Sequence, residues 1–274
     1  MSTITTNEAQ QVAAANASGK QPVVFIHGLW LLASSWDAWA ERFQAEGYAT
    51  VAVDWPGDAN SVEDARSGLD HLAGVGVQEV TDHIAEVIRG LDTKPIVIGH
   101  SFGGLLTQRI ADLGIAAASV AIDPAPFKGV LPLPASALKA SSPVLSNPAN
   151  RKKTVTLTFD QFRYGFANAV SEDEAKQLYD AFAVPAAGAP LFQAATANFN
   201  PWTEVKVDSK NPKRGPLLII SGEKDHVVPW AIANASYKKQ KRNESTTEIV
   251  EIPGRGHALT IDSGWREVAD TALA

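Results

Sequence analysis

The stretch Pro95-Ile96-Val97-Ile98-Gly99-His100-Ser101-Phe102-Gly103-Gly104 constrains this chain more than any other. An apolar β-branched run ends abruptly in Gly-His-Ser-Phe-Gly, and apolar residues at helical spacing (Leu105, Leu106, Ile110, Leu113) follow at once. Strand, very tight turn and helix in that order are the context that a Gly-x-Ser-x-Gly nucleophile elbow requires. At such an elbow Ser101 sits on strained backbone with its hydroxyl projecting from the sheet. Gly99 and Gly103, without side chains, let strand and helix approach closely. The helix start adds unpaired N–H groups and the positive end of a dipole. A Gly-rich turn with an incidental serine reads the same over five residues, so the rest of the chain decides.

That remainder alternates. Val23 to Ile26 reads as a strand buried on both faces. A helix follows with Ser34 or Ser35 as N-cap and Trp36, Trp39, Ala40 and Phe43 on one face, ending at Gly47. Further strands are expected at 48–53, 118–122, 216–220 and 248–252. Helices are expected over 77–91, over 230–239 and from about Gly264, with an irregular stretch or short helix within 58–75. Short apolar strands alternating with helices predict an α/β fold with a doubly wound, mostly parallel sheet, whose site lies beyond the carboxyl ends of the strands. Regularity breaks between Pro124 and Pro216. Seven of the ten phenylalanines fall there, and a solvated linker would not carry them. Two helices are expected in it, Phe159 to Ala169 and one opened by a Ser171–Glu174 capping box. The expected organisation is a core of residues 22–126 and 214–274, an insertion over 127–213, and a loosely held or surface-draped tail over 1–21.

Composition removes whole classes of function. With no cysteine in 274 residues, disulfides, thiolate catalysis and cysteine-held metals are excluded. A net charge of −6 argues against a nucleic-acid partner. No apolar run approaches the ~20 residues of a membrane span. The first twenty residues lack the basic start and apolar centre of a signal peptide, so a cytoplasmic location is expected.

His27-Gly28, Ser101, Asp123, Asp225 and His257 each follow an expected strand. With His27-Gly28-Leu29, Gly99-His100-Ser101-Phe102-Gly103, Gly222-Glu223-Lys224-Asp225 and Gly256-His257, the sequence resembles the α/β-hydrolase superfamily, in its serine-nucleophile branch. The resemblance spans 22–126 and 214–274, with a cap at the usual place of insertion. It implies a nucleophile Ser101, a base His257 and an acid Asp225, in the Ser…Asp…His order of that family. Asp123 is the rival acid, since some relatives take theirs after the strand that follows the elbow helix. The oxyanion hole would be the backbone N–H groups of Leu29 and Phe102. Relatives often begin with a strand hairpin that residues 1–21 do not resemble, so a six-stranded sheet is expected. The turn Asp54 to Ala59 also lacks the common Gly-His-Gly continuation.

The expected activity is hydrolysis of an apolar carboxylic ester through an acyl-enzyme, with no cofactor and no metal. Trp30, Phe162, Phe166 and Phe182 are the expected substrate-facing side chains. A carboxylate nucleophile, as in haloalkane dehalogenases and epoxide hydrolases, is excluded by Ser101. Lactonase, thioesterase, carbon–carbon hydrolase and cofactor-free perhydrolase chemistry stay open on the same triad, as does a receptor with almost no turnover. His27 and His100 are expected to support loops, His71 and His83 to lie on helical or loop surface, and His226 to follow the acid without an obvious partner. Lys238-Lys239-Gln240-Lys241-Arg242 reads as a solvated helix end.

Overall fold

The computed structural model describes residues 4–68 and 71–274. In chain order it runs α1 (Thr6–Ser18), β1 (Pro22–Ile26), a 3-10 turn (Ala33–Trp36), α2 (Asp37–Ala45), β2 (Ala49–Val53), α3 (Val62–Arg66), α4 (Val77–Arg89), β3 (Ile96–His100), α5 (Phe102–Asp112) and β4 (Ala118–Ile122). A mixed segment follows with α6 (Ala135–Leu145), a 3-10 turn (Pro148–Lys152), β5 (Thr154–Val155), α7 (Phe159–Gly165), α8 (Glu172–Phe182), β6 (Ala186–Ala187) and α9 (Ala189–Thr196). The alternation resumes with β7 (Leu217–Gly222), α10 (Trp230–Gln240), β8 (Thr247–Ile252) and α11 (Trp265–Leu273).

The main sheet has six parallel strands in the order β2-β1-β3-β4-β7-β8. The chain leaves β1 towards β2 and then returns to the other side at β3. The strand order therefore reverses between β1 and β3, the switch point at whose carboxyl edge doubly wound sheets place their sites. Every residue of β1 is buried, because helices cover both faces. On one face Phe25 stacks on Trp36 at 5.1 Å between ring centroids, and Trp39, Phe43 and Val268 close the cluster under α2 and α11. On the other, Val80 and Ile84 of α4 pack with Leu105 and Ile110 of α5.

The N-terminal segment departs from the sequence reading. Residues 6–18 form a helix where no regular element was expected, and that helix lies along the edge of β2. Gln11 Oε1 accepts from the Ala52 N–H at 2.8 Å and Glu8 Oε1 from the Asp54 N–H at 3.1 Å. Edge N–H groups that would otherwise invite another strand are thereby satisfied. Glu8 is fully buried; it completes a capping box with Thr5 and bonds His83 Nε2 at 2.8 Å, so His83 is a buried partner and not a surface histidine. The low amphipathicity of this alanine-rich helix hid it: the surface it offers the sheet is made of small and polar side chains.

Between β4 and β7 there are four helices where two were expected. Pro143 lies inside α6 and Pro190 at the start of α9, which masked both patterns. α7 stops at Gly165, not Ala169, and its capping box is Thr158–Gln161. At Ser171 only half of the expected box forms; the Glu174 side chain accepts instead from the Ser263 N–H. Among the described residues, no helix is long and apolar enough to cross a membrane.

Candidate active site

The turn after β3 carries Ser101 at φ 59° and ψ −119°, a strained conformation for a residue with a Cβ. Neighbouring backbone fixes it: the Ser101 N–H donates to Ile122 O, and Ser101 O accepts from the N–H groups of Gly104 and Ala125. Glycine is required where the loop after β1 meets this turn. A Cβ on Gly28 would lie 2.8 Å from Ser101 Cβ and 2.9 Å from His100 O, and one on Gly99 would lie 2.2 Å from Gly103 O.

Three of the expected side chains converge. His257 Nε2 is 2.9 Å from Ser101 Oγ, and His257 Nδ1 is 2.6 Å from Asp225 Oδ2. The other Asp225 oxygen accepts from the N–H groups of Val227 and Val228 at 2.6 and 2.9 Å. Burial resists ionisation of Asp225, but the His257 ring and these hydrogen bonds outweigh it and hold the carboxyl below its usual range. His257 is fully buried and Ser101 is 5% exposed, so this line of hydrogen bonds lies in a low-dielectric site.

Asp123, the rival, sits beside this line and not in it. It is fully buried at φ 40°, with Oδ1 accepting from the Gly222 N–H at 2.8 Å. Burial, then the Asp225 charge, pushes its carboxyl well above the usual range. Its second oxygen meets no protein donor. The surroundings of the two carboxyls thus push them in opposite directions, favouring a proton on Asp123 and ionisation of Asp225. His100 is pressed well below its ordinary value by burial and then by His257, so its ring stays neutral. His100, Asp123 and His257 also offer ligand atoms within 4.8 Å of one another. Both ring nitrogens of His257 are already engaged, by Ser101 and Asp225, which does not suit a resident metal.

Phe102 opens α5 directly after Ser101, and Leu29 follows Gly28, where the loop after β1 comes closest to Ser101. His27 holds the Leu29 loop: Nδ1 lies 2.8 Å from Gly28 O and Nε2 2.9 Å from Asp58 Oδ2. Burial opposes a charge on His27, yet the Asp58 carboxylate overcomes it and raises the ring above its usual value. Trp30 has φ 65°; its indole N–H donates to Val155 O and its carbonyl accepts from the Val184 N–H, joining this loop to the segment between β4 and β7.

Of the expected substrate-facing residues, Phe166 reaches the site. Its ring meets the His257 ring edge-on at 4.8 Å and the Trp30 ring at 6.0 Å. Phe162 is fully buried, stacked on Phe166 and packed against Tyr179. Phe182 is half-buried in the same apolar cluster. His226, expected to lack a partner, has Nδ1 2.9 Å from Tyr164 O. A groove of about 1050 Å³ lies elsewhere, between α1, α2 and the β2 edge, and no member of the Ser101–His257–Asp225 line borders it.

Comparison with known proteins agrees with this architecture. The family described as alpha/beta hydrolase family matches residues 23–271. A non-heme chloroperoxidase from Burkholderia pyrrocinia is 30% identical over 268 residues, covering 87% of this chain and 86% of its own. A bifunctional esterase/perhydrolase from Acinetobacter calcoaceticus is 26% identical over 270 residues, covering 87% and 86%. Among solved structures, an extracellular alpha/beta-hydrolase from a Paenibacillus species superposes with a TM-score of 0.66 at 22% identity, over 92% of this chain and 98% of its own. Polyneuridine aldehyde esterase does so with a TM-score of 0.64 at 16% identity, over 93% and 98%.

Proposed function

The chain belongs to the α/β-hydrolase family, and on that premise we propose that it is a serine hydrolase cleaving apolar carboxylic esters through a Ser101–His257–Asp225 triad. The observation that carries this reading is the unbroken line from Ser101 Oγ through both ring nitrogens of His257 to Asp225. His257 holds its proton on Nδ1, towards Asp225, which leaves Nε2 free to accept the Ser101 proton as Oγ attacks the ester carbonyl. The carbonyl oxygen gains negative charge and is met by the Leu29 and Phe102 N–H groups. His257 returns its proton to the departing alkoxide, and the acyl group remains on Ser101. Water, deprotonated by the same Nε2, then releases the acid and restores the serine.

Residues 127–213 act in this reading as a cap. They bring Phe166 onto the His257 ring, and they carry no Arg or Lys hydrogen-bonded at the Ser101 line. The acyl group met there is therefore apolar.

A second reading is favoured by the two curated relatives, whose names include chloroperoxidase and esterase/perhydrolase. Hydrogen peroxide attacking the same acyl-enzyme in place of water gives a peracid, with His257 taking the peroxide proton. Both readings need Ser101. Ser101→Ala is expected to lower kcat on p-nitrophenyl butyrate by 10³-fold or more and to abolish labelling by a fluorophosphonate, with the fold intact. Retention of a tenth of the wild-type kcat would remove Ser101 from the mechanism, and tight ester binding without turnover in the wild type would favour a receptor. Peracid titration in acetate with hydrogen peroxide separates the two acyl acceptors.

A further inference from the structure

The surface carries an apolar patch that the catalytic reading does not use. Phe199 and Trp202 are 89% and 84% exposed, and Leu131 and Leu133 are 74% and 68% exposed. They stand on two adjoining loops. The Gly129 N–H donates to Asn198 Oδ1, Asn198 Nδ2 to Val130 O, Lys128 Nζ to Asn200 O and the Lys128 N–H to Val205 O. The basic run at the end of α10 joins the same face. Lys239 Nζ lies 2.7 Å from the position a Cβ on Gly129 would take, and Asn243 Nδ2 donates to Ser209 O and Asn211 O.

Charge is segregated here. Residues 128–133, 198–210 and 238–243 together hold seven Lys or Arg and two carboxylates, in a chain of net charge −6. One of the two, Glu204, is engaged by Gln193 and the Gln78 N–H. Lys206, Lys210, Lys238, Lys241 and Arg242 are exposed.

We propose that this face docks on an anionic lipid surface, with Phe199, Trp202, Leu131 and Leu133 entering the interface and the surrounding cations meeting lipid headgroups. Aromatic and aliphatic side chains raised on loop tips suit the boundary between acyl chains and headgroups, and each lysine or arginine beside them adds attraction to negative lipid. A second copy of the chain fits less well, because a two-fold contact through this patch sets its cations against the same cations of the partner. Docking brings the chain to where apolar esters accumulate, but it does not depend on the catalytic reading and is measured without turnover.

The test is co-sedimentation of the wild-type chain with vesicles of phosphatidylcholine alone and of phosphatidylcholine with 30 mol% phosphatidylglycerol. Binding is expected to the anionic vesicles, to weaken when salt rises from 0.05 to 0.5 M, and to be slight on the neutral ones. Lys238→Gln/Lys241→Gln/Arg242→Gln is expected to lower the partition coefficient about 100-fold, at roughly fivefold per charge. Phe199→Ser/Trp202→Ser is expected to lower it at least tenfold, with melting temperature and turnover of a water-soluble ester unchanged, since these side chains are exposed. Leu131→Ser/Leu133→Ser provides the same measurement on the other loop. Failure of the wild type to bind anionic vesicles would overturn the proposal. So would variants that bind like wild type, or a dimer in solution that the Phe199/Trp202 change dissociates.

Discussion

The sharpest perturbation is to exchange each of the two buried acids for its amide. At position 225 one oxygen accepts two backbone N–H groups and the other accepts from His257 Nδ1. In Asp225→Asn the amide oxygen stays with Val227 and Val228, because the reverse orientation would set an NH2 against two N–H donors. The NH2 then faces His257 Nδ1 and makes it an acceptor, which moves the ring proton to Nε2. A ring protonated on Nε2 donates to Ser101 and cannot take its proton, so kcat on p-nitrophenyl butyrate is expected to fall by roughly 10³- to 10⁴-fold. At position 123 the same exchange is nearly silent. The amide oxygen accepts from the Gly222 N–H as before, and the NH2 takes the place of the carboxylic proton facing Asp225. Asp123→Asn is therefore expected to keep kcat within about tenfold of wild type, whereas Asp123→Leu, with no donor, should lose more. Steady-state kinetics on purified variants of matched melting temperature decide it. A larger loss in Asp123→Asn than in Asp225→Asn would refute both the triad acid and the neutral state assigned to Asp123.

Phe166→Ala is expected to flatten the rise of kcat/KM from p-nitrophenyl acetate to hexanoate, which burial of ester methylenes sets at about 0.8 kcal/mol each; an unchanged slope would take Phe166 out of the acyl pocket. Phe162→Ala should instead cost roughly 3–5 kcal/mol of stability, read by urea denaturation, because its ring is fully buried; a loss below 1 kcal/mol would contradict that packing. Glu8→Ala removes the buried Glu8–His83 hydrogen bond and the acceptor of the Asp54 N–H and should cost about 3 kcal/mol, loosening α1 on the β2 edge; protection of the Ala52 and Asp54 amides from hydrogen exchange would fall with it. Burial, helped by the Asp58 charge, raises Asp54 to about 6. Its protonated form is thus favoured by folding: stability is full below the unfolded value of 3.8 and is lost as pH rises through about 6. Asp54→Asn should therefore raise the melting temperature by a few degrees at pH 7.5 and leave it unchanged at pH 3.5, and an equal gain at both would show that the effect is not titration.

Short-range patterns were legible without coordinates. The β-branched runs at 23–26, 96–98 and 118–122, each ending in chemistry-bearing residues, dictated parallel strands with the site at their carboxyl ends. Gly99 and Gly103 placed the elbow, because few other sequences permit strand and helix to close so tightly on a serine. The absence of a starting hairpin also foretold six strands. Tertiary structure decided what depends on partners distant in the chain. The raised carboxyl of Asp123 comes from its burial in the assembled core and then from a carboxylate 102 residues later in the sequence. The role of α1 comes from N–H groups on a strand edge that no helical periodicity can signal. His83 meets Glu8, 75 residues earlier in the sequence, only in the folded chain. The same limit holds for the phenylalanines between β4 and β7: spacing showed that they must be covered, but only packing put Phe166 on the His257 ring and Phe162 behind it. Sequence carries local backbone preference and periodicity directly, whereas burial, protonation and contact are set by the assembled surroundings of each group.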